Sequence, residues 1–203
     1  MRILVIGATG TIGKAVVAAL GSRHEVIPAS RHKAHEQVDI ADPASLRSLY
    51  ERVGRVDAIV SAAGNAAWKP LAELTDADFA FSLANKLMGQ VNVARFGFAH
   101  INDGGSVTLT SGVLAQQPMK GSAAVSLVNA GLEGFTRAAA LEAPRGVRVN
   151  IVSPPWVSET LKAMGQDPSS GLPAADVARS YVNPVEGSDR GRVISPVAAA
   201  VRT

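Results

Sequence analysis

The chain is expected to fold as an α/β domain whose doubly wound parallel sheet, of about seven strands, carries helices on both faces. Three observations lead there. Short β-branched runs alternate with longer helical patterns from the start of the chain. The first of these runs, Ile3 to Ile6, is apolar throughout, as in a strand buried on both faces. And 203 residues with 47% apolar and 18% charged side chains suffice for one substantial core, so a single domain over the whole chain is the default.

Ile3 to Ile6 reads as the first strand, and Ile12, Val16 and Leu20 recur at the four-residue spacing of one helix face. Glu25 to Ala29 supplies a second strand, Gln37 to Ile40 a third and Ala58 to Val60 a fourth. Asp42-Pro43, a cap followed by a first-turn proline, opens the intervening helix, which runs through Val53. A long helix is expected from about Asp76 to His100, then a strand over Ser106–Thr110 behind the Gly104-Gly105 turn. A second long helix from about Ser122 to Glu142 ends near Pro144 and Gly146 and hands over to a strand at Val147–Val152. Gly191–Ile194 is a candidate seventh strand. Between the last two strands, Ser158 to Leu172 is the least regular stretch and reads as a mobile substrate loop.

Composition excludes several chemistries. Without cysteine there is no disulfide framework, thiolate metal site or sulfur nucleophile. The net charge is only +3 and the basic residues are scattered, so nucleic acid is not an expected partner. No apolar run approaches the ~20 residues of a membrane span, and the chain reads as cytoplasmic. His24, His32, His35 and His100 lack metal-ligand spacing, and no metal is expected. Ser111 lies in Thr-Ser-Gly without the Gly-x-Ser-x-Gly elbow of a hydrolase.

Gly7-Ala8-Thr9-Gly10-Thr11-Ile12-Gly13 sits between the first strand and its helix, where backbone N–H groups and the positive helix end hold a dinucleotide pyrophosphate. Gly7 would permit the tight turn, Gly10 the approach of the phosphates and Gly13 the contact of helix with strand. Thr9 and Thr11 add hydroxyls. No Gly-Lys-Ser/Thr closes the loop, so it is not that of an NTPase. At the tip of the second strand, where an NAD-binding domain keeps a carboxylate, stand Ser30-Arg31-His32. A guanidinium there suits the 2′-phosphate of NADP.

With these motifs the sequence resembles the short-chain dehydrogenase/reductase family, a Rossmann-type fold, over nearly its whole length. Gly7–Gly13 is similar to the family's cofactor loop, Asp39-Ile40 to its adenine-contacting Asp, and Ser61-Ala62-Ala63-Gly64 to its Asn-Asn-Ala-Gly strand end. Thr110-Ser111 ends a strand where the family keeps its catalytic Ser. Asn150 to Pro155 resembles the Asn-x-x-x-Pro-Gly stretch, placing Pro154 and Val157 near the nicotinamide. The resemblance implies binding of NADP, hydride transfer on a small carbonyl or alcohol, and association into dimers or tetramers through the two long helices. Ala130, Gly131, Gly134 and Ala138 would allow that contact, or pack on the sheet instead.

Several features depart from the family. The Tyr-x-x-x-Lys pair, proton donor and its helper, aligns with Val125 and Asn129. The family's helix Asn aligns with Lys86, although a shift of one residue would restore Asn85. Too few residues separate the second and third strands for a crossover helix, so a turn must connect them. In the reductase reading Ser111 hydrogen-bonds the developing oxyanion, Lys86 supplies charge or a proton, and Asn129 holds the nicotinamide ribose. Trp68 and Trp156 are expected to border the substrate cleft. A catalytically silent NADP-binding sensor or scaffold is the second reading, since it explains the lost Tyr and Lys directly.

Overall fold

Side chains alternate along a strand, and β1 (Arg2–Ile6) uses both of its faces: Ile3 and Val5 enter one buried cluster, Leu4 and Ile6 another. The computed structural model describes residues 1–198. It contains one seven-stranded parallel sheet in the order β3-β2-β1-β4-β5-β6-β7. The strands are β2 (Glu25–Ser30), β3 (Glu36–Gln37), β4 (Val56–Ser61), β5 (Ile101–Thr110), β6 (Arg148–Val152) and β7 (Val193–Ile194). The order reverses between β1 and β4, and a doubly wound sheet opens its ligand crevice at the carboxyl ends of strands flanking such a switch point.

Helices cover both faces, as a Rossmann-type fold requires. On one, α2 (Pro43–Val53), α4 (Gly89–Gly97) and α5 (Ala123–Glu142) bury Leu46, Leu49, Tyr50, Val93 and Leu132. On the other, α1 (Thr11–Gly21), α7 (Ala174–Arg179) and α8 (Val182–Glu186) contribute Val16, Leu20, Val177 and Val185, with Tyr181 between the last two helices. The Asp42 carboxylate accepts from Ala44 N–H at 2.9 Å, with Pro43 in the first turn of α2, which is the expected cap.

Five expectations need correction. The third strand is two residues long, because after Gln37 the chain turns toward α2: Val38 and Ile40 drop into the core, and Asp39 N–H donates to Ser45 Oγ. It still pairs parallel with β2 across a short turn, as the chain length demands. The helix from Asp76 is divided into α3 (Asp76–Ser82), a π-helical segment over Leu83–Met88, and α4, which stops at Gly97. Its expected last residue, His100, leaves the helix and stacks on the Tyr50 ring at 5.3 Å. β5 begins at Ile101, so Gly104 and Gly105 sit inside it, where its register against β4 shifts.

Residues 158–172 are not irregular: α6 (Ser158–Ala163) and a 3-10 turn at Pro168–Ser170 fill the segment. Ser158 N–H donates to Leu172 O and Leu172 N–H to Trp156 O, while Leu161 is buried, so the segment closes on itself. α7 and α8 have no counterpart in the sequence reading because five- and six-residue helices show too little periodicity. No helix among the described residues is long and apolar enough to cross a membrane.

Candidate active site

At the β1–α1 turn the expected cradle is present. Gly7 has φ +87°, and a Cβ there would lie 2.5 Å from Ala62 O; one on Gly13 would lie 2.0 Å from Gly7 O. Glycine is therefore obligatory at both places. α1 opens without a side-chain cap and without an acidic residue in its first turn, so its N–H groups and positive end are left for an anion.

A cleft of about 320 Å³ runs from this turn over the strand ends. Gly7, Thr9 and Gly10 form one wall, Ser30 and Arg31 the rim, Asp39 and Ile40 the far side, and Ala62, Ala63 and Gly64 the floor. Thr11, Ile12 and Gly13 stand outside its lining, as the first turn of α1. His32, Asn65 and Asn85 also line it; Asn65 was not singled out from the sequence, and Asn85 was named there only as the alternative to Lys86. Arg31 and Asp39 meet as an exposed ion pair at 3.1 Å, so the candidate phosphate binder and the candidate adenine contact touch across the rim. The Ser30 hydroxyl is engaged in the turn, accepting from Lys33 N–H at 3.2 Å.

The three candidate catalytic residues converge in a second cleft, of about 160 Å³, lined by Ser111, Lys86, Asn129, Val125, Pro154 and Val157 among others. Ser111 is placed by the end of β5: its N–H donates to Val152 O, and Gln90 clamps Thr110 through both backbone groups at 2.7 and 2.9 Å. Lys86 arrives from the π-helical segment, whose i→i+5 bonding fits one more residue into the turn. Asn85 consequently turns to accept from Asn65 N–H at 2.8 Å, while Lys86 Nζ reaches the Ser111 carbonyl at 3.4 Å. Asn85 lines the first cleft and Lys86 the second. Gly64 joins them: with φ +116°, a Cβ there would lie 3.0 Å from Lys86 Cα.

Burial lowers the pKa of Lys86 from 10.5 to about 8. Asn129 is buried; its Nδ2 donates to Gly112 O at 3.4 Å, and its Oδ1 has no partner. Val125, Asn129 and Glu133 follow one another at four-residue spacing on one face of α5. Glu133, overlooked in the sequence, accepts from Ser111 Oγ at 2.9 Å and from Gln116 Nε2. Its helical spacing from Asn129 was the available signal.

Both tyrosines are in the core. Tyr50 donates to Val93 O, Tyr181 pairs with Thr110 Oγ1, and desolvation raises both pKa values. Neither lines the cleft. Trp156 does, and Trp68 lines a neighbouring apolar groove; the two rings meet edge to face at 5.8 Å.

Residues 12–188 match the sequence profile of a family described as enoyl-(acyl carrier protein) reductase. The chain belongs to the short-chain dehydrogenase/reductase family. Among relatives of this dehydrogenase/reductase, the hydroxynaphthalene reductase of Aspergillus fumigatus is 32% identical over 198 residues, covering 88% of this chain and 72% of that protein. A hydroxynaphthalene reductase-like protein of Metarhizium brunneum is 26% identical, covering 74% of this chain and 66% of its own length. Among solved structures, the protein lin1944 from Listeria innocua superposes with a TM-score of 0.93 at 41% identity, covering 96% of this chain and 98% of that one. A small-chain dehydrogenase in complex with NADPH gives 0.86 at 28% identity, covering 98% of this chain and 96% of that chain. The second match shows that a chain of this short form binds a reduced dinucleotide.

Proposed function

We propose that this chain is an NADP(H)-dependent oxidoreductase that interconverts a small carbonyl compound and its alcohol, with Lys86 in place of the missing tyrosine as proton donor. The observation that carries the reading is the convergence of Lys86, Ser111 and Asn129 on one cleft that adjoins the dinucleotide cleft at Gly64.

The residues present fit the cofactor. The glycine cradle and the uncapped start of α1 suit the pyrophosphate, and Arg31 suits the 2′-phosphate. The orphaned Asn129 Oδ1 suits a ribose hydroxyl, which would supply the hydrogen it lacks. When bound, NADPH supplies a hydride to the carbonyl carbon. The C=O π pair then moves onto oxygen, and the Lys86 ammonium hands that oxygen a proton, giving the alcohol and a neutral amine that water reprotonates. A pKa of about 8 places Lys86 near working pH, where a general acid is most effective. Reduction should accordingly fall as pH rises through about 8, and alcohol oxidation should rise over the same range.

The test is consumption of NADPH, followed by absorbance of the reduced nicotinamide, across a panel of aliphatic, aromatic and quinone carbonyls. Turnover above the blank with any of them supports the reading. Tight NADPH binding with no turnover on the panel, in either direction, replaces it with the silent sensor. Self-association belongs to the same proposal: Leu127, Ala130 and Gly134 lie exposed along one side of α5, whereas Gly131 backs onto Leu87 of its own chain. Light scattering at a monomer mass would remove it.

A further inference from the structure

Ser111 carries one hydroxyl hydrogen, and that hydrogen is already engaged. Oγ donates to Glu133 Oε1 at 2.9 Å, and both residues are buried. The other carboxylate oxygen of Glu133 accepts from Gln116 Nε2, so the carboxylate is held from two sides. A carboxylate has acceptors only. While it takes the Ser111 hydrogen, Ser111 shows the cleft nothing but oxygen lone pairs. A developing oxyanion cannot be stabilised by lone pairs, so the Lys86 ammonium, the charged donor among the residues lining the cleft, is the group suited to it.

We propose that Glu133 is a positioning residue that fixes the Ser111 hydroxyl as a hydrogen-bond acceptor toward the cleft, leaving Lys86 to serve the oxygen being protonated. This rests on the reductase reading for its consequence, but not for its geometry. It reverses the role the family resemblance implies for Ser111. It also accounts for a buried acid on α5 that no other feature of the site uses. The cleft thus combines two characters: Asn129 Oδ1 and Ser111 Oγ are both acceptors awaiting hydrogens, and Lys86 Nζ is the donor among them.

The test reads the hydroxyl proton itself, by NMR of the full chain. The wild type should show a slowly exchanging hydroxyl resonance that disappears in Ser111→Ala, a small change that leaves the fold. Glu133→Gln, whose amide oxygen still accepts, should retain it. Glu133→Met should lose the resonance or speed its exchange at least ~10-fold, as expected when a charge-assisted bond is removed. If no protected resonance disappears in Ser111→Ala, or if Glu133→Met leaves it unchanged, the proposal is overturned, and the Ser111→Ala arm decides even where Glu133→Met does not fold.

The second readout is a double-mutant cycle on any carbonyl that the wild type reduces. Glu133→Met should lower kcat ~10-fold in the wild-type background and have no effect in the Ser111→Ala background, as for residues that act as one unit. A loss that persists without Ser111 would make Glu133 merely structural. A protected hydroxyl in a chain that turns over no carbonyl would instead end the reductase reading and leave the fixed acceptor standing.

Discussion

The two clefts differ in how their chemistry is held. The dinucleotide cleft is built from backbone: its cradle consists of glycines whose missing Cβ atoms leave the space, and the positive charge comes from a helix end. The cleft of Lys86, Ser111 and Asn129 is built from side chains delivered by three elements, the π segment, the end of β5 and one face of α5, tied together by Gln90, Glu133 and Gln116. A site made of backbone tolerates no side chain, whereas one made of side chains can hold different residues on the same frame.

The largest expected effect falls on the backbone site. Gly13→Ala should prevent folding, since its Cβ would lie 2.0 Å from Gly7 O. Gly10→Val should fold, because φ there is −76° and the nearest contact of a Cβ is 3.3 Å, yet lose NADPH affinity at least ~100-fold by filling the phosphate approach. Thermal melting paired with NADPH titration separates the two outcomes, and normal NADPH binding by folded Gly10→Val would erase the contrast between the clefts.

Next comes Lys86→Met, which should lower turnover about 10²-fold with little change in NADPH affinity. It should also stabilise the protein. The folded state lowers the pKa of Lys86, so below about pH 8 folding bears the cost of a desolvated ammonium; the cost fades as pH rises toward 10.5, where the unfolded chain also loses the proton. Removing it should add on the order of 1 kcal/mol at neutral pH, less than the full shift implies because Lys86 keeps some contact with water. Melting curves of both proteins across that range check the sign: the advantage of the variant should shrink as pH rises.

Smaller still is Arg31→Ala, which should weaken NADPH by ~10-fold and NADH hardly at all. An equal loss for both coenzymes would take the 2′-phosphate away from Arg31. Asp39→Asn should move preference the other way by a few-fold at most, since it frees Arg31 from an exposed pair of little intrinsic strength. Isothermal titration with both coenzymes measures each shift.

Much of the backbone site was legible because its signals are local. A glycine spacing between an apolar strand and an amphipathic helix is read within fifteen residues, and the alternation of short apolar runs with helices gave the sheet. The cleft of Lys86, Ser111 and Asn129 was legible only in its parts. Ser111, Lys86 and Asn129 could each be placed against a family pattern, but Glu133 carries no motif: its partner Ser111 lies 22 residues away and meets it only once β5 and α5 are packed. The misread elements have the same origin. β3 shrinks to two residues because the start of α2 claims Asp39 N–H, and 158–172 becomes partly helical because its two ends bond to each other. Neither competition is visible in composition.

The π segment at Leu83–Met88 has an evolutionary consequence. One surplus residue in a helical turn is what a single-codon insertion leaves behind, and here it lets two adjacent side chains, Asn85 and Lys86, serve different clefts instead of competing for one. Deleting Leu83, which is exposed, should return the turn to ordinary pitch and rotate everything upstream by about 100° about the helix axis while α4 stays packed. A change in length here would thus re-aim α3 relative to α4 without altering any side chain of α4.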